Sequence, residues 1–311
     1  MVRTIPAVLA LTVLSCGTPL QQVQLYETGA DRAAAVAEAA RESALPVEDN
    51  SVKFGVIGDT GTGDSAQYDV GLRLAEAWSR FPFEFVIMLG DNLYGSEGPS
   101  AYVAKFERPY QPLLDAGVQF YASLGNHDEP AQRFYEPFNM GGERYYTFRK
   151  GDVEFFVLDS TYMGPEQLEW LEDALSGSNA PWKVAYMHHP MYSSGETHGS
   201  EVDLQLLVEP LFLEHGVDVV FAGHEHFYER LVPQKGIQYI TQGGSAKLRS
   251  GNIRRNSPMT ASGFDTDRSF TLIEVVDDHM FVETVSRRGA IVDSAIVPRR
   301  EIMAQPVEAT E

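Results

Sequence analysis

The chain has 311 residues, of which 44 are acidic and 24 basic, giving a formal net charge of -20. That balance argues against a nucleic-acid partner, because affinity for a phosphate backbone comes mainly from lysine and arginine neutralising its charge. A single cysteine, Cys16, excludes an intramolecular disulfide and a cysteine-based metal cluster. With 43% hydrophobic and 22% charged residues the composition is that of an ordinary globular protein.

Met1 to Leu14 pairs one cation, Arg3, with the apolar run Ile5 to Leu14. Ten helical residues reach only about half of a bilayer core of roughly 30 Å, so the run reads as an export signal and not as a membrane span. Its end, Leu14-Ser15-Cys16-Gly17, resembles a bacterial lipoprotein signal, which places a lipid-modified cysteine after a small residue. Residues 1–15 are therefore expected to be a signal, with Cys16 anchored to the membrane of a cell envelope. A plain secretory signal with an incidental cysteine is the alternative. Residues 16–50 read as a tether, with a helix-favouring stretch from Ala30 to Leu45.

Val52 to Ile57 reads as a buried strand. Gly61-Thr62-Gly63-Asp64-Ser65-Ala66 follows it and matches a dinucleotide fingerprint. Asp59 and Asp64 would set negative charge beside a pyrophosphate, which counts against that reading. Ala66 to Trp78 then brings Val70, Leu74, Ala77 and Trp78 onto one helical face. Strands follow at Phe85 to Leu89 and Val118 to Leu124, and a hairpin at Tyr145 to Asp159 turns at Lys150-Gly151-Asp152. Pro165 opens a helix through Leu175, ahead of strands at Val184 to Met187 and Val217 to Ala222. The chain closes with strand-like runs at Gln238 to Thr241, Ser269 to Val276 and His279 to Ser286. Strands alternating with helices predict an α/β fold with mixed sheets, forming one catalytic domain over 51–298 with a tail at 299–311.

The chemistry-bearing residues follow the strands: Gly58-Asp59, Gly90-Asp91-Asn92-Leu93-Tyr94, Gly125-Asn126-His127-Asp128, His188-His189-Pro190 and Gly223-His224-Glu225-His226. The carboxyl ends of strands are where open α/β sheets bind ligands. Oxygen and imidazole donors without sulfur suit iron, zinc or manganese. Two carboxylates with three histidines exceed what one open catalytic ion needs, so two ions are expected, about 3.5–4 Å apart and bridged by one carboxylate. At the HisHis pair, His188 or His189 can be the ligand. His215, at a predicted helix end, and His279, in a turn, read as structural and solvated.

In their order and spacing these motifs resemble the calcineurin-like metallophosphoesterase superfamily. Gly90-Asp91-Asn92-Leu93-Tyr94, His224-Glu225-His226-Phe227-Tyr228-Glu229-Arg230 and Gln167-Leu168-Glu169-Trp170-Leu171 resemble, within it, the small tartrate-resistant type of purple acid phosphatase. The resemblance implies a four-layer α/β/β/α sandwich with two mixed sheets flanked by helices. It implies Fe(III) held by Asp59, Tyr94 and His226, with Asp91 bridging to a second ion (iron, zinc or manganese) held by Asn126, His188 and His224. His127 would donate to the phosphate or leaving group. His198, in a loop one residue longer than the pattern, resembles a second substrate-contacting histidine.

The expected activity is hydrolysis of small phosphate monoesters by a metal-activated hydroxide, with no obligate protein partner. A phosphodiesterase or nucleotide phosphatase of the same superfamily, or a non-catalytic envelope lipoprotein that uses the fold for binding, are the alternatives.

Overall fold

Strict alternation along the strands builds two faces of one sheet. In β1 (Val52–Ile57) Phe54 and Val56 point one way and Ile57 the other. The same split holds in β2 (Phe85–Met88), where Phe85 and Ile87 share the first face and Val86 and Met88 the second. The computed structural model describes residues 43–300, so the expected signal, Cys16 and the tail beyond Arg300 lie outside the described residues.

Sheet A runs β13-β12-β11-β1-β2-β3 and sheet B runs β10-β8-β9-β7-β6-β5-β4. The β1, β2 and β3 (Gln119–Ala122) strands are parallel, as are β5 (Val153–Val157), β6 (Trp182–Met187), β7 (Val219–Ala222) and β9 (Gln238–Gln242). Antiparallel strands complete both sheets: β4 (Tyr146–Lys150), β8 (Tyr228–Leu231) and β10 (Thr260–Phe264) in B, and β11 (Ser269–Val276), β12 (His279–Ser286) and β13 (Ile291–Pro298) in A. Both sheets are therefore mixed, as expected.

Three apolar cores separate four layers. Between the sheets, Phe54 stacks on Phe85 at 5.2 Å and meets Phe155 of the opposite sheet edge-on at 5.3 Å. The other face of sheet A is covered by α1 (Ser65–Trp78) and by a helical stretch comprising α2 (Pro99–Tyr102), one wide turn and α3 (Arg108–Asp115), through Val70, Leu74, Phe106 and Leu113. Sheet B is covered by α4 (Pro165–Gly177), α5 (Val202–Leu207) and α6 (Glu209–Glu214), through Leu171, Leu175, Leu204 and Phe212. Asp64, from the rejected dinucleotide motif, caps α1 by accepting from the Gln67 N–H at 3.0 Å.

The boundary of the body differs from the sequence reading. Ser43 to Asn50, placed with the tether, packs on sheet A. Leu45 is buried in the core beneath α1, the Ala44 N–H donates to Glu283 at 3.0 Å, and those of Val47 and Glu48 each donate to Glu274 at 2.7 Å. Two strand carboxylates thus satisfy the incoming backbone, a tertiary pairing with no local sequence signal. Among the described residues no helix is long and apolar enough to cross a membrane.

Candidate metal centre

The parallel strands β1, β2, β3, β6 and β7 end within a few residues of Asp59, Asp91, Asn126, His188 and His224. Both sheets therefore deliver side chains to one edge of the sandwich. The loops interlock there, with the Asp59 N–H donating to the Gly90 carbonyl at 3.1 Å and the Gly223 N–H to that of His188 at 2.9 Å. Asp59, Asp91 and His224 adopt left-handed backbone, with φ of 55°, 51° and 67°. At Gly125 a Cβ would sit 2.2 Å from Asp91 Oδ1, so only glycine allows this approach.

Two donor groups meet on Asp91. In the first, one ligand atom each from Asp59, Asp91 and His226 lies within 4.8 Å of the others. Tyr94 Oη joins them, donating to Asp59 Oδ1 at 3.0 Å and standing 3.4 Å from His226 Nε2. In the second, His188 Nε2 is 3.0 Å from Asn126 Oδ1, 3.1 Å from His224 Nδ1 and 3.4 Å from Asp91 Oδ1. His188 Nδ1 faces the Leu89 carbonyl at 2.8 Å, which can only accept, so this nitrogen carries the proton. The Nε2 lone pair therefore points inward. His189 Nδ1 pairs with Ser160 Oγ at 2.9 Å, although its ring also approaches His224, with centroids 4.4 Å apart. The inward lone pair on its neighbour favours His188 as the ligand.

The chemistry of this donor set fits a cation. Lone pairs from His188, Asn126 and Asp91 converge with no hydrogen between them, and the other Asp91 oxygen, Oδ2, is buried without a hydrogen-bond partner. Burial, and then the neighbouring Asp91, push the Asp59 carboxyl well above its usual range. Burial and the adjacent imidazoles hold His188 well below its ordinary value and take His224 down to about 2, while burial and Arg249 bring His226 down to about 4. Neutral imidazoles beside carboxylates that lack a counter-charge are what an oxygen- and nitrogen-binding metal requires.

The two histidines expected at the phosphate also reach the site. The His127 N–H donates to Asp91 Oδ1 at 3.0 Å, and its exposed ring lies 5.1 Å from that of Tyr94. His198 reaches the site despite its longer loop, its ring 4.2 Å from His224. His215 caps α6 and His279 opens β12 as an exposed residue.

Residues with purely tertiary roles escaped the sequence reading. Buried Glu225 accepts from the backbone of His198 at 3.2 Å and of Gly199 at 2.8 Å, which fixes the loop carrying His198. Asp128 accepts from the backbone of Asn92, Leu93 and Gly125, tying the two carboxylate-bearing loops together, and burial followed by Asp91 pushes its carboxyl up to about 8. Tyr228 and Arg230 both bond Asp293 on β13, with Arg230 gripping it through two nitrogens at 2.7 and 3.1 Å. These bonds give Tyr228 and Arg230 a supporting part, tying β8 to β13.

Four layers, two mixed sheets and a donor-rich edge define a metallophosphoesterase. A family model for calcineurin-like phosphoesterases matches residues 52–228, and the chain belongs to that family. It is a metal-dependent phosphoester hydrolase, similar to the purple acid phosphatases. Purple acid phosphatase 17 of Arabidopsis thaliana is 28% identical over 242 residues, covering 66% of this chain and 71% of the relative. A purple acid phosphatase from yellow lupin (Lupinus luteus) seeds superposes with a TM-score of 0.66 at 20% identity, over 86% of this chain and 57% of its own. The anchor protein of the Plasmodium inner membrane complex superposes with a TM-score of 0.73 at 18% identity, over 81% and 90%. At these identities the two superpositions show the fold alone.

Proposed function

We propose that the protein hydrolyses small phosphate monoesters using two metal ions. The observation that carries this reading is Asp91, whose one carboxylate adjoins both donor groups and keeps a buried oxygen without a partner. Asp59, Tyr94 and His226 would hold one ion, Fe(III) by the tyrosine, and Asn126, His188 and His224 the other, which is iron, zinc or manganese. Bound there, the ions would supply Lewis-acid activation of water and neutralise phosphate oxygens. The protein's own contribution is orientation and proton delivery. His127, whose backbone N–H donates to Asp91, would donate a proton to the departing oxygen, and His198, whose ring lies beside that of His224, would donate to the phosphate.

Metal content and comparative turnover test this. Two ions per chain are expected, with a phosphomonoester hydrolysed at least about tenfold faster than its diester counterpart. The reverse preference would assign the chain to the phosphodiesterases. Tyr94→Phe is expected to abolish a visible absorption band of the oxidised protein, and a colourless wild type with full activity would remove the Fe(III)–tyrosine assignment alone.

Export and lipid anchoring belong to the same proposal and rest on the first sixteen residues. Labelled palmitate should enter the wild type and not Cys16→Ser when either is expressed in a bacterium. Equal labelling would remove the anchor.

A further inference from the structure

The segment from Gly243 to Arg249 lies along the Asp59 and His226 side of the centre. A Cβ at Gly243 would sit 2.7 Å from Asp59 Oδ2 and 2.3 Å from the Glu225 carbonyl, so only glycine lets the chain pass there. The Ser245 N–H then donates to the Gly58 carbonyl at 3.3 Å, that of Lys247 to Asp59 at 3.2 Å and that of Arg249 to His226 at 3.0 Å. Three backbone bonds thus fix this segment to the loops that carry two of the donors.

What the segment brings is charge. The half-buried Lys247 side chain folds over Tyr94, with its ammonium 4.2 Å from the centre of the ring. Arg249, two residues on, is paired with Glu225 at 3.5 Å. Among the described residues no carboxylate pairs with Lys247, so its charge faces the tyrosine uncompensated. The same charge is felt at His226, which burial, then Arg249, and then Lys247 hold down at about 4.

Beside an ion held by Asp59, Tyr94 and His226, a fixed positive charge acts in one direction. Coulomb repulsion grows with the charge of the ion, so a trivalent ion is destabilised more than a divalent one. A cation on the ring face also attracts the electrons that a phenolate would lend the ion. Both effects favour the lower charge state.

We propose that Lys247 is a positioning residue that acts through Tyr94 to raise the reduction potential of iron in this site. Tyrosine ligation alone favours the ferric ion, and the lysine opposes that bias. The proposal rests on the Fe(III)–tyrosine reading above. In the reduction, Fe(III) gains one electron to become Fe(II) and an external one-electron donor, such as a reduced viologen, loses one. No bond forms or breaks.

A redox titration of the iron-loaded protein, mediated by viologens and followed by the visible band, tests this. Lys247→Met and Lys247→Gln keep much of the stem on the ring and remove the charge. Each should raise the ferric-to-ferrous ratio at a given potential at least about tenfold, a fall of about 59 mV for a one-electron couple. Lys247→Arg keeps the cation and should stay within about threefold of wild type. An unchanged circular dichroism spectrum and iron content serve as controls. Equal potentials in the wild type and both neutral variants would overturn the proposal and leave the ferric reading standing. An equal fall in Lys247→Arg would mark a packing effect and overturn it as well. A wild type without the visible band would remove the ferric reading and the proposal together.

Discussion

Asp91→Asn should lower phosphomonoester turnover by about 1,000-fold or more and leave less than one full equivalent of metal per chain. The reason is geometric. His188 Nε2 and the His127 N–H both address one Asp91 oxygen, the second oxygen is buried with no partner, and the carboxylate also belongs to the group of Asp59 and His226. Replacing one oxygen by NH2 removes the charge and turns an acceptor into a donor that faces other would-be metal ligands. Asparagine tolerates the left-handed backbone at this position, so the fold should survive, with an unchanged circular dichroism spectrum as the control. Elemental analysis and steady-state rates on the same preparation decide the matter, and activity above a tenth of wild type would contradict the shared-ligand role.

Removing the metals should lower the melting temperature by roughly 8–16 °C. Ions present at about a thousandfold over their dissociation constant stabilise the native state by about 4 kcal/mol. In a domain of this size each kcal/mol corresponds to about 2–4 °C. The chelated protein keeps two neighbouring buried carboxylates with no compensating charge, and Asp59 is pushed well above its usual range by burial and by Asp91. Asp91→Asn should therefore show a much smaller chelation shift. Differential scanning calorimetry with and without chelator measures both, and a wild-type shift under about 2 °C would contradict a structural contribution from the ions.

Sequence located β1, β2, β6 and β7 by apolar runs whose two faces are both buried, and it also located β3, the β4–β5 hairpin, β9, β11 and β12. The β8 strand was hidden because its polar residues find their partners far along the chain: Asp293 for buried Tyr228 and half-buried Arg230, and Ser194 and Thr260 for buried Glu229. The β10 strand is small and polar, and β13 alternates along a sheet edge, so neither stands out from its neighbours. The stretch from Pro99 to Asp115 carries three prolines and lacks a clean helical period.

At the site, Asp59, Asp91, Asn126 and His224 were legible because each follows a glycine at a strand end. Glu225 and Asp128 sit beside those residues in sequence, yet what they do depends on backbone N–H groups up to 36 residues away, as in the bond from Asn92 to Asp128. The packing of Ser43 to Asn50 on sheet A was illegible for the same reason, since Glu274 and Glu283 bind it from across the chain.

The left-handed backbone at Asp59, Asp91 and His224 sets stability against chemistry at this edge. Each such residue costs roughly 1–2 kcal/mol relative to an unstrained conformation, and glycine would remove most of that cost. A search for more heat-resistant variants, blind to activity and run without metals, would thus be drawn to glycine at 59, 91 and 224. At these three positions, unlike at left-handed Val47 or Lys235, relaxing the backbone would erase a donor. Stability gained at 59, 91 or 224 would come at the expense of the proposed ions, a trade that Val47 and Lys235 do not impose.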